Sequence, residues 1–201
     1  MTNQMKIGLA VVAVIVVAGL GVAAQRGLFS ASQSGPQSVA SSTAPSLTES
    51  VKYDPKISPE VKTILVEKIA DLRSSLAKNY DEYQNWLVLA IRYKTAGDYD
   101  KARKVWEYLS FLHPDDAVSR HNLGDLYHNF IKDYPKAESY YLQAIDAAPT
   151  QSINYLALSE LYRYLYKQNT SAAADILKLG IQRVPSPQNT DLKNALAALG
   201  K

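Results

Sequence analysis

Residues 86–114 decide the fold: Trp86-x2-Leu89-Ala90-x2-Tyr93, a Gly97-Asp98 pair, Ala102-x3-Trp106, and a closing Pro114. Residues three and four apart are neighbours on a helix, so Trp86, Leu89, Ala90 and Tyr93 share one face. Ala102, Val105, Trp106 and Leu109 share the face of a second helix that looks back at the first. Gly97-Asp98 supplies a tight turn, with Asp98 as the cap of the second helix. Pro114 prevents that helix from continuing. The stretch is therefore a helix hairpin with large and small apolar positions on its inner faces.

One hairpin cannot bury both its faces, and the pattern recurs. Tyr93, Tyr127 and Tyr162 fall 34 and 35 residues apart, while Ala102, Ala137 and Ala173 fall 35 and 36 apart. Pro114, Pro149 and Pro185 keep the same spacing of 35 and 36.

A period of about 34 with this pattern resembles the tetratricopeptide repeat (TPR) family, over roughly residues 83–185. Helix A of that family carries an aromatic, a Leu, a small residue and a Tyr. Trp86, Leu89, Ala90 and Tyr93 match it in the first copy, Leu123, Gly124 and Tyr127 in the second, and Tyr155, Leu158, Ser159 and Tyr162 in the third. Helix B is matched best by Ala137, Tyr141, Ala144 and Pro149. The departures are Arg120 for the aromatic of helix A, Leu109 for a small residue and Leu177 for the aromatic of helix B. The turn is one residue longer in the second copy and two longer in the third. The resemblance implies an all-α, right-handed TPR α-solenoid of about three hairpins with flanking capping helices. Its parts would be a half-repeat at 58–82, repeats at 83–116, 117–151 and 152–187, and a capping helix at 188–201.

The flanks are different in kind. Residues 7–24, from Ile7 to Ala24, hold no charge. At ~1.5 Å per residue such a run spans ~27 Å, enough for a hydrocarbon core. Lys6 and the amino terminus on one side, against Arg26 alone on the other, favour a cytoplasmic N-terminus and an extracytoplasmic domain. Residues 1–26 thus read as a transmembrane signal anchor. The alternative is secretion after cleavage following Ala24, because Val22-Ala23-Ala24 fits the small-x-small rule. Residues 27–57 are rich in Ser, Thr, Gln, Ala, Pro and Gly and read as a tether too poor in apolar residues to fold. Ser58-Pro59-Glu60 then signals a helix start, with cap, first-turn Pro and acid in order.

Composition excludes several functions. The chain has no cysteine, so it has neither a disulfide nor a lipid-modified Cys anchor. Residues 58–201 carry 18 Lys/Arg against 17 Asp/Glu, scattered rather than clustered, which argues against nucleic-acid binding. There is no Gly-x-Ser-x-Gly elbow, P-loop, dinucleotide turn or His-Glu-x-x-His, so the expectation is a non-enzyme without a cofactor.

The resemblance also implies where a partner would sit. Helix A positions facing the concave groove are Gln84, Leu87, Ile91, Lys94 and Thr95 in the first copy. The second copy contributes Val118, His121, Asp125, His128 and Asn129, and the third Ile153, Leu156, Glu160, Arg163 and Tyr164. Leu87, Ile91, Val118, Ile153 and Leu156 would form an apolar floor, suited to a protein or peptide segment with a few apolar anchors. The family's C-terminal-carboxylate clamp is absent, since Leu87 and Ile91 stand where its first Lys and Asn would be. A different class of function, a metal-binding or enzymatic accessory protein, hangs on His121, Asp125 and His128, spaced i, i+4 and i+7, which share a helix face and could converge on a metal.

Overall fold

The computed structural model describes residues 43–168 and 170–200. The described residues are helical and contain no strand. In chain order the helices are α1 (Pro59–Lys78), α2 (Tyr83–Ala96), α3 (Tyr99–Leu112) and α4 (Ala117–Leu126). They continue with α5 (Tyr134–Ala147), α6 (Ser152–Tyr164), α7 (Ala172–Arg183) and α8 (Thr190–Leu199). Each packs on the next in sequence, and α8 also touches α6. A contiguous core runs the length of this series.

Capping chemistry sets the helix starts. Ser58 Oγ accepts from the Val61 N–H at 3.4 Å, with Pro59 in the first turn of α1. Asp98 accepts from Lys101 N–H, Asp116 from Val118 and Ser119 N–H, and Asp133 from Lys136 N–H. Each satisfies a donor that the first turn of a helix leaves without a partner. α2 stops at Gly97, whose φ of 86° is left-handed, and the Asp98 N–H closes back on Tyr93 O at 2.9 Å.

The hairpin faces expected from the spacing are buried. Trp86, Leu89, Ala90 and Tyr93 meet Ala102, Val105, Trp106 and Leu109 within the core, all essentially inaccessible. Hairpin α4–α5 is closer still. A Cβ on Gly124 would lie 2.5 Å from Cδ1 of Tyr141, a buried ring, so only glycine fits. Arg120 shows why a missing aromatic is tolerated. Trp86 Nε1 donates to Tyr80 O at 2.8 Å, and Tyr155 OH to Pro149 O at 2.7 Å. In the second copy Arg120 reaches the same kind of acceptor, donating to Asp116 O at 2.7 Å and Ser110 O at 3.3 Å. The position ties the first arm of each hairpin to carbonyls of the chain just before it, and a guanidinium can do that as well as an indole.

The tether reading needs correction at its C-terminal half. Residues 43–57 lie along the helices as an irregular strap, with Ala44, Leu47, Val51, Tyr53 and Ile57 partly buried against the core. Tyr80 OH donates to Pro45 O, and Arg73 to Glu49 O at 2.8 Å. Lys101 pairs with Glu49, Lys52 N–H donates to Asp98 Oδ2 at 2.9 Å, and Asp54 N–H to Ala96 O at 2.8 Å. Composition misleads because the strap is held by backbone hydrogen bonds and a few well-spaced apolar side chains. The ordered body thus begins before residue 58. Residues 27–42, the uncharged run Ile7–Ala24 and the bond after Ala24 lie outside the described residues. No helix among the described residues is long and apolar enough to cross a membrane.

The N-terminal end is polar where later copies are sealed. Ser119 and Leu126 in α4, and Asn154 and Leu161 in α6, are fully buried beneath the preceding hairpin. Their counterparts in α2 are Asn85 and Arg92, which stay partly exposed. With Lys68, Asp71, Leu72, Ser75 and Val88 they line an open groove of about 300 Å³ between α1 and α2. At the other end Leu192 of α8 is buried, with Ala195, Leu196 and Leu199 packed beside it.

Candidate functional site

The groove-facing positions lie on α2, on α4 with the π-helical turn Tyr127–Ile131 that follows it, and on α6, helices whose opposite faces are committed to the core. Gln84, Ile91, Thr95, Val118, Asn129, Ile153, Glu160, Arg163 and Tyr164 are exposed. Ile153 stands 55% exposed, unusual for an isoleucine on a packed helix. Leu87 is different. At 9% exposure it belongs to the core, and Leu156 is half-buried against that core. The accessible apolar surface is therefore Ile91, Val118, Ile153 and Tyr164, and the expected floor is narrower by Leu87.

Polar contacts cross from each of these helices to the next. Lys94 Nζ on α2 donates to Asp125 Oδ2 on α4 at 2.9 Å, and lies 5.5 Å from the centre of the Phe130 ring. Asn129 Nδ2 donates to the other Asp125 oxygen at 2.7 Å. His121 Nδ1 on α4 meets Asn154 Oδ1 on α6 at 2.9 Å, while Asn154 Nδ2 donates to Ala144 O at 3.3 Å. That orientation of the amide makes its oxygen the acceptor, so the His121 proton sits on Nδ1. Arg163 donates to Ala198 O at 3.2 Å and covers the Tyr164 ring, joining α6 to α8. Thr95 Oγ1 turns back to Ile91 O at 2.9 Å.

His128 is buried, with Nδ1 3.3 Å from Tyr141 OH. Burial lowers the pKa of both His121 and His128, outweighing the pull of nearby acids, because a charged imidazole would lose its hydration. Burial likewise raises the Tyr141 hydroxyl. The arrangement bears on the metal reading. His121 points to Asn154, Asp125 to Lys94 and Asn129, and His128 to Tyr141, so the three side chains do not converge. Among the described residues no group of three His, Asp or Glu side chains could hold a metal ion.

The sequence reading missed Asn154 and named Tyr141 only as the helix B aromatic; these two residues meet the two histidines. One signal was present: Asn154 is a polar residue of low helix propensity on a packing face. What it bonds to lies 33 residues away and has no local signature. Comparison with protein-family models finds no match, and comparison with curated proteins finds none either.

Proposed function

We propose that the protein is a non-enzymatic protein–protein interaction scaffold, a right-handed TPR-type α-solenoid of three hairpins with a cap at each end. In this reading Ile7–Ala24 anchors it in a membrane and the helical domain works outside the cytoplasm. The concave face of α2, α4 and α6 holds a peptide segment of a partner, as an assembly or chaperone-like factor would. The observation that carries the reading is the set of exposed apolar side chains Ile91, Val118, Ile153 and Tyr164 on successive packed helices. Apolar groups gathered on one face and left in water mark an interaction surface more often than single ones do. Around them Lys94, Asp125, Glu160 and Arg163 supply mixed charge, which suits apolar anchors better than an acidic tail.

A groove of three helices is short, so affinity is expected on the order of micromolar, with a few anchors dominating. Ile91→Asp with Ile153→Asp tests it, because both side chains are exposed and leave the core intact. The wild-type and variant full chains, matched for helicity, are crosslinked in host membranes and the captured proteins identified. Loss of specific partners from the variant supports the groove. Identical partners from both overturn it.

A further inference from the structure

The two turns that carry extra residues also carry an apolar fringe. Phe130 and Ile131 close the π-helical turn Tyr127–Ile131 that follows α4, and Leu165 and Tyr166 follow α6, each between 37% and 41% exposed. The fringe is continuous. Phe130 lies against Tyr99 of the first turn, ring centres 5.0 Å apart. Lys167 reaches from the third turn to Glu138, just past the second, at 2.5 Å, and covers the Tyr166 ring. All three turns therefore share one edge of the helical body.

Charge at the second and third turns is also biased. Asp133 is used as the cap of α5 and pairs with Lys136 at 3.1 Å. Glu138 is taken by Lys167 and the Tyr162 hydroxyl. Lys132 meets no carboxylate within ion-pair distance among the described residues, nor does Arg163, whose guanidinium donates to Ala198 O at 3.2 Å and covers the Tyr164 ring.

We infer that this edge docks onto the headgroup region of an anionic lipid bilayer. Tyrosine and phenylalanine tips with Leu and Ile bury apolar bodies at that depth while hydroxyls stay wet, and Lys and Arg meet phosphates. The fringe sits on the turns between helices. A bilayer surface can meet all the tips at once without a complementary shape, whereas a folded partner would need a matching cleft.

Chain length permits the orientation. The strap enters at Pro45 beside Tyr80, at the edge opposite these turns, and crosses to Asp98. A 14-residue helix is ~21 Å long, and the stretch from Gln25 to Ser42 can extend at most ~60 Å. The inference uses the anchor reading of Ile7–Ala24 only to bring a membrane within reach, and the test separates the two.

The chain has no cysteine, so single cysteines can be placed at Ile131 and Tyr166, with Ile91 and Gln143 as controls. Each full-length variant, labelled with a polarity-sensitive fluorophore, is reconstituted into vesicles of phosphatidylcholine alone or mixed with phosphatidylglycerol. Expected are a blue shift and quenching by headgroup-located quencher lipid at 131 and 166 but not at 91 or 143. Both signals should strengthen with phosphatidylglycerol and weaken on Lys132→Glu. Labels at 131 and 166 as water-exposed as the label at 143, in chains that float with the vesicles, overturn the edge and leave the anchor standing. Chains that do not float with either vesicle overturn both. Protection of 131 and 166 that appears only when host membrane proteins are added assigns the edge to a protein and overturns the lipid inference.

Discussion

The α2–α3 turn and the α4–α5 turn reach the same end with one residue of difference. In the first, Gly97 takes a left-handed φ of 86° and the Asp98 N–H closes on Tyr93 O at 2.9 Å. In the second, Tyr127–Ile131 widen into a π-helical turn, and Lys132 takes the left-handed φ of 65°. The Asp133 N–H then closes on Tyr127 O at 3.1 Å. Tyr93 and Tyr127 both stay buried, and Asp98 and Asp133 both cap the helix that follows. An inserted residue is thus absorbed in the last turn of the helix, as π-bulges commonly do. The packing face keeps its register and the surplus goes outward, as Phe130 and Ile131.

The largest expected effect comes from giving the second hairpin a residue of the first. Ala90 is accommodated opposite α3, but a Cβ at Gly124 meets the Tyr141 ring on three atoms. Gly124→Ala should therefore destabilise by about 2 kcal/mol, despite the ~1 kcal/mol that alanine adds to a helix. Urea unfolding at constant m-value measures it, and a neutral or stabilising result would mean that the two hairpins close equally tightly.

The capping aspartates come next. Asp133→Ala removes a cap and should cost about 1 kcal/mol. Asp98→Ala also leaves the Lys52 N–H of the strap without its acceptor, so about 2 kcal/mol is expected. Equal costs at the two sites would show that the strap contributes nothing there. The left-handed residues should respond with opposite signs. Gly97→Ala forces a side chain into φ 86° and places its Cβ 2.9 Å from Asp54 Cβ, costing about 1–2 kcal/mol. Lys132→Gly relieves the corresponding strain but frees the unfolded chain, for a net gain of about 0.5 kcal/mol.

The smallest effect separates the hairpins by pH. His121 and His128 belong to the second, and burial lowers both pKa values below the ordinary value of about 6.5. As pH falls below about 6.5 the unfolded chain takes up protons before the folded one does, so stability declines through that window. Amide protection factors, exchange rates corrected for their intrinsic pH dependence, should fall in α4 and α5 before α2 and α3 between pH 7.5 and 5.5, and His128→Gln should reduce the difference. A uniform loss of protection across both hairpins would remove the histidines as its cause.

Most helix boundaries were legible because their signals are local. Ser58 and Asp98 cap the helices their positions announced, and the Trp86–Tyr93 face is buried as its spacing required. The strap was not legible, since its hold on the helices comes from Glu49, Lys52 and Asp54 meeting residues more than twenty positions away. The longer second turn was countable in sequence, but its resolution as a π-helical turn was not. Of the groove positions, Ile91, Val118, Ile153 and Tyr164 came out accessible, while Leu87 and His128 did not.

Sequence alone determined where the helices begin, which faces turn inward and that hairpins recur, because capping and i,i+3/i+4 spacing act within a few residues. Only the tertiary structure decided which inward-set side chains still meet water. Burial at any one position depends on what the preceding hairpin brings across it: Leu126 and Leu161 are sealed by a neighbour, and Arg92 at the open end is not.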